Sequence, residues 1–179
     1  MSFARRATSQ GLAVWFLALA VVAAQTQAAP QGTESPKWLK FVSKGGWSIR
    51  HPSTLHLESC RQCTDISSPT APVMLRDPGT GGSILVEPLA DKPADKSIEE
   101  WLQEVGRETV ANPIASQEWD YLDGALALKM DNRNPDGTES VNVYVVNGVK
   151  TFAIRASQTQ PKSFDTLFRQ MLSTFRFTQ

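Results

Sequence analysis

The chain has few of the residues that build most dedicated chemistry. Two cysteines and two histidines in 179 residues exclude a disulfide-dense mini-protein and a four-thiolate zinc site. Neither sign of charge is in excess. Eighteen Lys+Arg face eighteen Asp+Glu, which argues against a nucleic-acid binder that works by neutralising phosphates. The longest uncharged apolar run, Gly11 to Ala24, has fourteen residues, short of the roughly twenty that a spanning helix needs. At 41% apolar and 20% charged, the composition is neither that of a disordered chain nor that of a membrane bundle. One soluble globular domain remains.

The first part of the chain carries the pattern of an export signal. Arg5 and Arg6 form a basic start, GLAVWFLALAVVAA follows, and QTQAAP (Gln25 to Pro30) then brings small and polar residues. This order predicts a cleaved secretory signal over residues 1–28, cut near Ala28 with Thr26 three residues upstream. Ala7 and Thr8 are not the bulky apolar pair that a twin-arginine signal prefers, so a Sec-type signal is expected. No cysteine precedes Cys60, which leaves no lipidation site at the cut. The remaining 151 residues carry 16 basic and 18 acidic groups, enough chain for one self-sufficient core. Residues 29–37 read as a flexible leader and 38–179 as a single domain, periplasmic or secreted.

Within that domain the hydrophobic period changes along the chain. Strand patterns cover WLKFVS (38–43), WSIRHP (47–52), a short segment around Leu55 and Leu57, Val73 to Arg76 and Ser83 to Glu87. The turn Asp77 to Gly82 joins the last two as a hairpin. Ile98, Trp101, Leu102 and Val105 then fall at helical spacing, behind a Ser97/Glu100 capping box. Four further strands are expected at 116–121, 125–131, 140–146 and 149–157, separated by Asp123-Gly124, Pro135-Asp136-Gly137 and Asn147-Gly148. A second amphipathic helix carries Phe164, Leu167, Phe168, Met171 and Leu172, with Ser163 placed to cap it and Phe175 one turn beyond. Strands, helix, hairpins, helix is the order of an α+β fold with a mostly antiparallel sheet.

The sharpest local motif is Cys60-Arg61-Gln62-Cys63. In an oxidising envelope a Cys60–Cys63 disulfide is expected, locking a turn more than lowering chain entropy, because the loop is minimal. A redox motif of thioredoxin type needs a helix start after the first thiol, but TDISSPTAP follows the pair. His51, His56, Cys60 and Cys63 lie within thirteen residues and would suit tetrahedral zinc. Their order reverses that of a finger and their positions fall on strands, so no metal site is assigned to them. His51 reads as a strand-end residue and His56 as solvent-facing.

Other residues have bland explanations. Gly79 to Gly82 lacks the Lys-Ser/Thr ending of a phosphate loop. Glu99, Glu100 and Glu104 suit the polar side and first turns of a helix, and Asp120 and Asp123 flank a turn. No nucleophile-elbow sequence supports a Ser/His/Asp triad. Trp38, Trp47, Trp101 and Trp119 read as core or sheet packing. Pro88 to Lys96 reads as a solvated loop.

The aromatic-rich first strand, the extended GWSIRHP (46–52), the mid-chain helix, the meander and the ending F-x-x-L-F-x-x-M-L-S-T-F-R-F (164–177) together resemble the PsbP-like α/β/α sandwich family. That family includes extrinsic PsbP proteins of photosystem II, a Ran-binding import factor, and DcrB-type envelope proteins and secretion chaperones. The resemblance spans about residues 38–179 and implies a non-enzymatic protein that binds or stabilises others. No family site maps onto this chain residue by residue. The expected function is a non-catalytic exported accessory domain for another envelope protein, with no catalytic residue and no cofactor. A small-molecule or zinc carrier is the alternative, and thiol-disulfide exchange comes third. Nucleic-acid partners and a membrane span after cleavage are not expected.

The signal and the cysteine pair give a first expected outcome. Intact mass of protein taken from the host envelope should correspond to residues 29–179. It should lie about 2 Da below the dithiol form, the two hydrogens lost in forming one S–S bond, with no uptake of alkylating reagent. Alkylation of both thiols in the native protein would contradict the disulfide.

Overall fold

The structure, a computed structural model, describes residues 37–58, 68–109, 113–133, 138–158 and 161–178. All belong to the compact unit formed by residues 35–179. The expected signal segment, residues 29–36 of the expected leader, Cys60 and Cys63 lie outside the described residues.

Ten strands and two helices are formed among these residues. β1 (Trp38–Ser43) and β2 (Trp47–Pro52) make a hairpin; β3 (His56–Glu58), β4 (Val73–Arg76) and β5 (Ser83–Pro88) make a meander. Helix α1 (Ile98–Thr109) leads to the long strands β6 (Ile114–Leu122), β7 (Ala125–Arg133), β8 (Glu139–Asn147) and β9 (Lys150–Gln158). Helix α2 (Pro161–Ser173) and the short β10 (Arg176–Phe177) close the chain.

The strands divide into two antiparallel sheets, not one. Three strands run in the order β1-β2-β10 and seven in the order β3-β4-β5-β9-β8-β7-β6. α1 carries the chain from β5 out to the far rim, and the meander β6 to β9 then fills back until β9 pairs with β5. No local pattern reveals this pairing across the inserted helix.

Each face of the large sheet has its own core, because side chains alternate along every strand. α1 buries Trp101, Leu102 and Val105 against Leu128, Met130, Tyr144, Val146 and Ala153. On the opposite face Val73, Ile84, Val86, Val143, Phe152 and Ile154 pack with Phe164, Phe168 and Met171 of α2 and with Trp47 and Ile49 of the small sheet. The layers are therefore helix, sheet, and helix with a second small sheet.

Local signals were realised where they depended on neighbours in sequence. Ser97 and Glu100 exchange both capping-box bonds at 3.1 Å. The indole of Trp101 donates to Thr151 Oγ1 at 2.8 Å, which satisfies its buried N–H. Asp123 and Gly124 both take positive φ (49° and 80°) and form the two-residue turn between Leu122 and Ala125, a type I′ hairpin.

Elsewhere the structure departs from expectation. The β8–β9 turn is Gly148-Val149, since Asn147 already pairs with Lys150 and only Gly148 has positive φ; this is the type II′ solution. α2 starts at Pro161, so Ser163 lies inside its first turn and is not its cap. Proline is favoured there because its missing N–H would have had no helical partner. In β2, Ser48 is buried beside Trp47 and Ile49 because β2 is the central strand of its sheet. Leu57 is exposed on the short rim strand β3. Trp119 is 38% exposed, not core.

Gly82, immediately before β5, sits against α2. A methyl group there would lie 2.8 Å from ring carbons of Phe164, itself buried. Gly82→Ala should therefore lower stability by about 1–3 kcal/mol, a fall in Tm of roughly 3–10 °C. Gly79→Ala, whose added methyl meets only a side-chain oxygen of Asp77 at 3.3 Å, should change Tm far less. Thermal unfolding of the two variants checks the difference.

Candidate functional site

The His/Cys segment does not form a described site. His51 is buried at the end of β2, where its Nδ1–H donates to the Pro52 carbonyl at 3.0 Å. His56 is exposed on β3, in the other sheet, opposite Arg76. Cys60 and Cys63, the expected disulfide, lie outside the described residues. Among the described residues no group of three His, Cys, Asp or Glu side chains is arranged to hold a metal ion.

The remaining sequence candidates serve the fold. Asp77 accepts from Gly79 N (2.8 Å) and from the Thr80 hydroxyl (2.9 Å), which shapes the β4–β5 turn. Asp123 accepts from Phe177 N at 2.8 Å and pairs with Arg176, tying the β6–β7 turn to the end of the chain. Residues 88–96 are pinned more firmly than a solvated linker: Leu89 N and Lys92 N bond to Thr151 O and Val149 O, and Lys150 pairs with Asp91 at 3.0 Å. Lys96 pairs with Glu104 and stands 5.4 Å over the Trp101 ring. The Glu104 hydrogen bond holds its ammonium above the usual lysine range.

Polar groups on the α1 side of the large sheet are mostly spent on one another. Asn142 donates to Asn132 Oδ1 at 2.9 Å, Glu87 pairs with Arg155 at 3.2 Å, and the Tyr144 hydroxyl lies 2.8 Å from that of Thr109. Burial pushes the Tyr144 phenol above its usual range. The two asparagines and the two hydroxyls find hydrogen-bond partners inside the protein, while the Glu87–Arg155 pair is held by charge, with Glu87 Oε2 and Arg155 Nε buried outside any hydrogen bond among the described residues.

The uncovered surface lies at the β6 rim. β6 is exposed from Ile114 to Tyr121, with only Leu122 buried. Across the rim pair Trp119 faces Leu128 and Tyr121 faces Leu126 on the α1 side, while Glu118 faces Lys129 and Asp120 faces Ala127 on the α2 side. Tyr121 is 71% exposed. Between this rim and α2 run two adjoining grooves that share Lys129, Asp165 and Arg169. The smaller, about 360 Å³, is floored by Leu122, Ala127, Val143, Phe168 and Leu172. Its cations are already paired: Lys129 with Asp131 at 3.4 Å and Arg169 with Asp165 at 3.0 Å. Glu118 and Asp120 have no ion-pair partner among the described residues.

Comparison with known proteins places the architecture. The solution structure of cyanobacterial PsbP (CyanoP) from Synechocystis sp. PCC 6803 matches with a TM-score of 0.56 over 84% of this chain and 98% of that one. The fold is PsbP-like. Sequence identity is 15%, so the likeness speaks for the fold alone. A crystal structure from Bacteroides thetaiotaomicron VPI-5482 also matches, with a TM-score of 0.53, 12% identity and 78% of this chain covered. The match spans about half of that longer chain, 48%. No family model and no curated protein matches the sequence. Among the described residues no helix is long and apolar enough to cross a membrane.

The sequence marks a strand over 116–121, within β6, but not its place at the rim. Trp119 and Tyr121 carry no signal that distinguishes a rim from a centre; the sheet order decides it.

The Tyr144 environment gives a pH prediction. Its phenol is neutral in both states below about pH 10; above that the unfolded chain ionises while the folded one resists. Stability should thus fall as pH rises past 10.0, the ordinary tyrosine value. Tyr144→Phe should flatten that fall in urea unfolding series. An identical alkaline slope in the variant would show that Tyr144 is not the group responsible.

Proposed function

We infer that the protein is an exported, non-catalytic accessory domain that binds another protein of the cell envelope and holds it in a competent state. One observation carries the reading: a nine-residue rim strand, open along its length, with Trp119 and Tyr121 uncovered on it. Trp and Tyr are the residues that anchor interfaces, and here they stand two positions apart on one face of an open edge. The basic-apolar-polar start of the chain supports export to an envelope compartment. The PsbP-like fold is compatible with this role but does not select it, since folds host many functions.

The groove beside α2 supports a second reading, carriage of a small apolar ligand over Leu122, Val143 and Phe168. Native mass spectrometry of protein from its host separates the two, because a carrier retains a bound mass.

In-cell photocrosslinking tests the leading reading. A photoreactive residue at Tyr121 should give one discrete product with an envelope protein, and the same residue at the exposed Arg50 of β2 should not. No product from any surface position, at native abundance, would overturn the accessory role.

A further inference from the structure

We propose that the open edge of β6 takes up an extended segment of the partner as an eighth strand, and that this segment alternates basic with apolar side chains. The inference rests on the accessory reading and specifies its chemistry.

The backbone of β6 is prepared for such an addition. Among the described residues only β7 pairs with it. The N–H of Tyr121 is taken by the carboxylate of Asp120 at 2.7 Å and so is not spent on β7. Orientation alternates along an antiparallel strand, so Trp119 and Gln117 turn their backbone groups outward with Tyr121. Strand addition supplies main-chain bonds to such groups, and side-chain pockets on alternate residues then select the sequence.

Those side chains sort by face. Gln117, Trp119 and Tyr121 share the α1 side with Leu126 and Leu128; Ser116, Glu118 and Asp120 share the α2 side with Lys129. An added strand lays successive residues on the same two faces. Apolar residues on one face would cover Trp119 and Tyr121. Basic residues on the other would meet Glu118 and Asp120, the two carboxylates of the rim without an ion pair. Asp120 then has a double part: in the free protein it caps the Tyr121 N–H, and an incoming cation draws it off as a partner carbonyl takes its place.

Charge also weighs against a second copy of this chain as the occupant. In antiparallel self-pairing, registers centred on Glu118, Trp119 or Asp120 set acidic side chains opposite acidic side chains, which destabilises a pair. Charged rim residues of this sort keep an open edge from promiscuous pairing. Here they leave it complementary to a cation-bearing strand.

The test uses the full mature chain, 15N-labelled, titrated with three nonapeptides: alternating Lys-Val, alternating Glu-Val, and a block arrangement with the Lys-Val composition. The alternating Lys-Val peptide should perturb and protect the Gln117 to Tyr121 amides. It should bind more tightly than either control, and the E118Q/D120N double variant should weaken it about fivefold. Circular dichroism and Tm of the variant check that it remains folded. Equal binding of the block or acidic peptide would overturn the proposal. So would shifts confined to another surface, or protection of β6 by concentration-dependent self-association without peptide. If Tyr121 crosslinks an envelope protein while none of the peptides binds β6, strand addition fails and the accessory role stands.

Discussion

The two sheets of this protein are held together by a chain of aromatic rings supplied by its last residues. Trp47, buried at the centre of the small sheet, stacks on Phe175 at 5.8 Å, and Phe175 meets Phe177 edge-on at 5.2 Å. Phe177 then reaches Phe152 of β9 at 5.9 Å, inside the large sheet. Backbone bonds follow the same route. β10 pairs with β2, Thr178 N bonds to Gly46 O, and Phe177 N bonds to Asp123 in the β6–β7 turn. A small sheet of two six-residue strands and a dipeptide is marginal by itself in water. It becomes part of a stable body through this closing segment together with the packing of Trp47 and Ile49 into the core shared with α2.

The same arrangement decides which surfaces stay free. α1 covers the large sheet at β7 and β8, while α2 and the small sheet cover the opposite face around β5, β8 and β9. β6, added at the rim by the crossover, receives neither except at its last residue, Leu122. Its exposure is a consequence of topology, and along it charged side chains alternate with aromatic ones. The interior polar groups on the α1 side, in contrast, are largely turned toward one another, as in the Asn142–Asn132 and Tyr144–Thr109 pairs.

Much of the local structure was legible in the sequence, because it depends on residues close together. The capping box, the stripe of α1, the Asp123-Gly124 turn and most strand spans follow from spacing alone; the two-residue β10 does not, because too short a segment carries no period. The Asn147-Gly148 pair illustrates the limit of that reasoning: the hairpin was right, but the pairing of Asn147 with Lys150 moved the turn one residue onward. Three other features belong to tertiary context: two sheets instead of one, the exposure of Trp119, and His51 and His56 in different sheets. None of them changes the hydrophobic period of any segment. A rim strand and a central strand with one polar face can carry the same alternation, so an open edge is readable only after the sheet order is known.

Native-state hydrogen exchange, followed residue by residue in dilute denaturant, tests most directly whether the aromatic closure makes one body and leaves one open edge. Amides of β2 and β9 should exchange through the same global opening, with equal free energy and equal denaturant dependence. The outward amides of Gln117 and Trp119 should exchange by a much smaller opening. Exchange of β2 through its own low-energy opening, with β9 still protected, would show that the ring chain does not couple the sheets. Amides of Gln117 and Trp119 as well protected as those of β9 would show that the rim is not open.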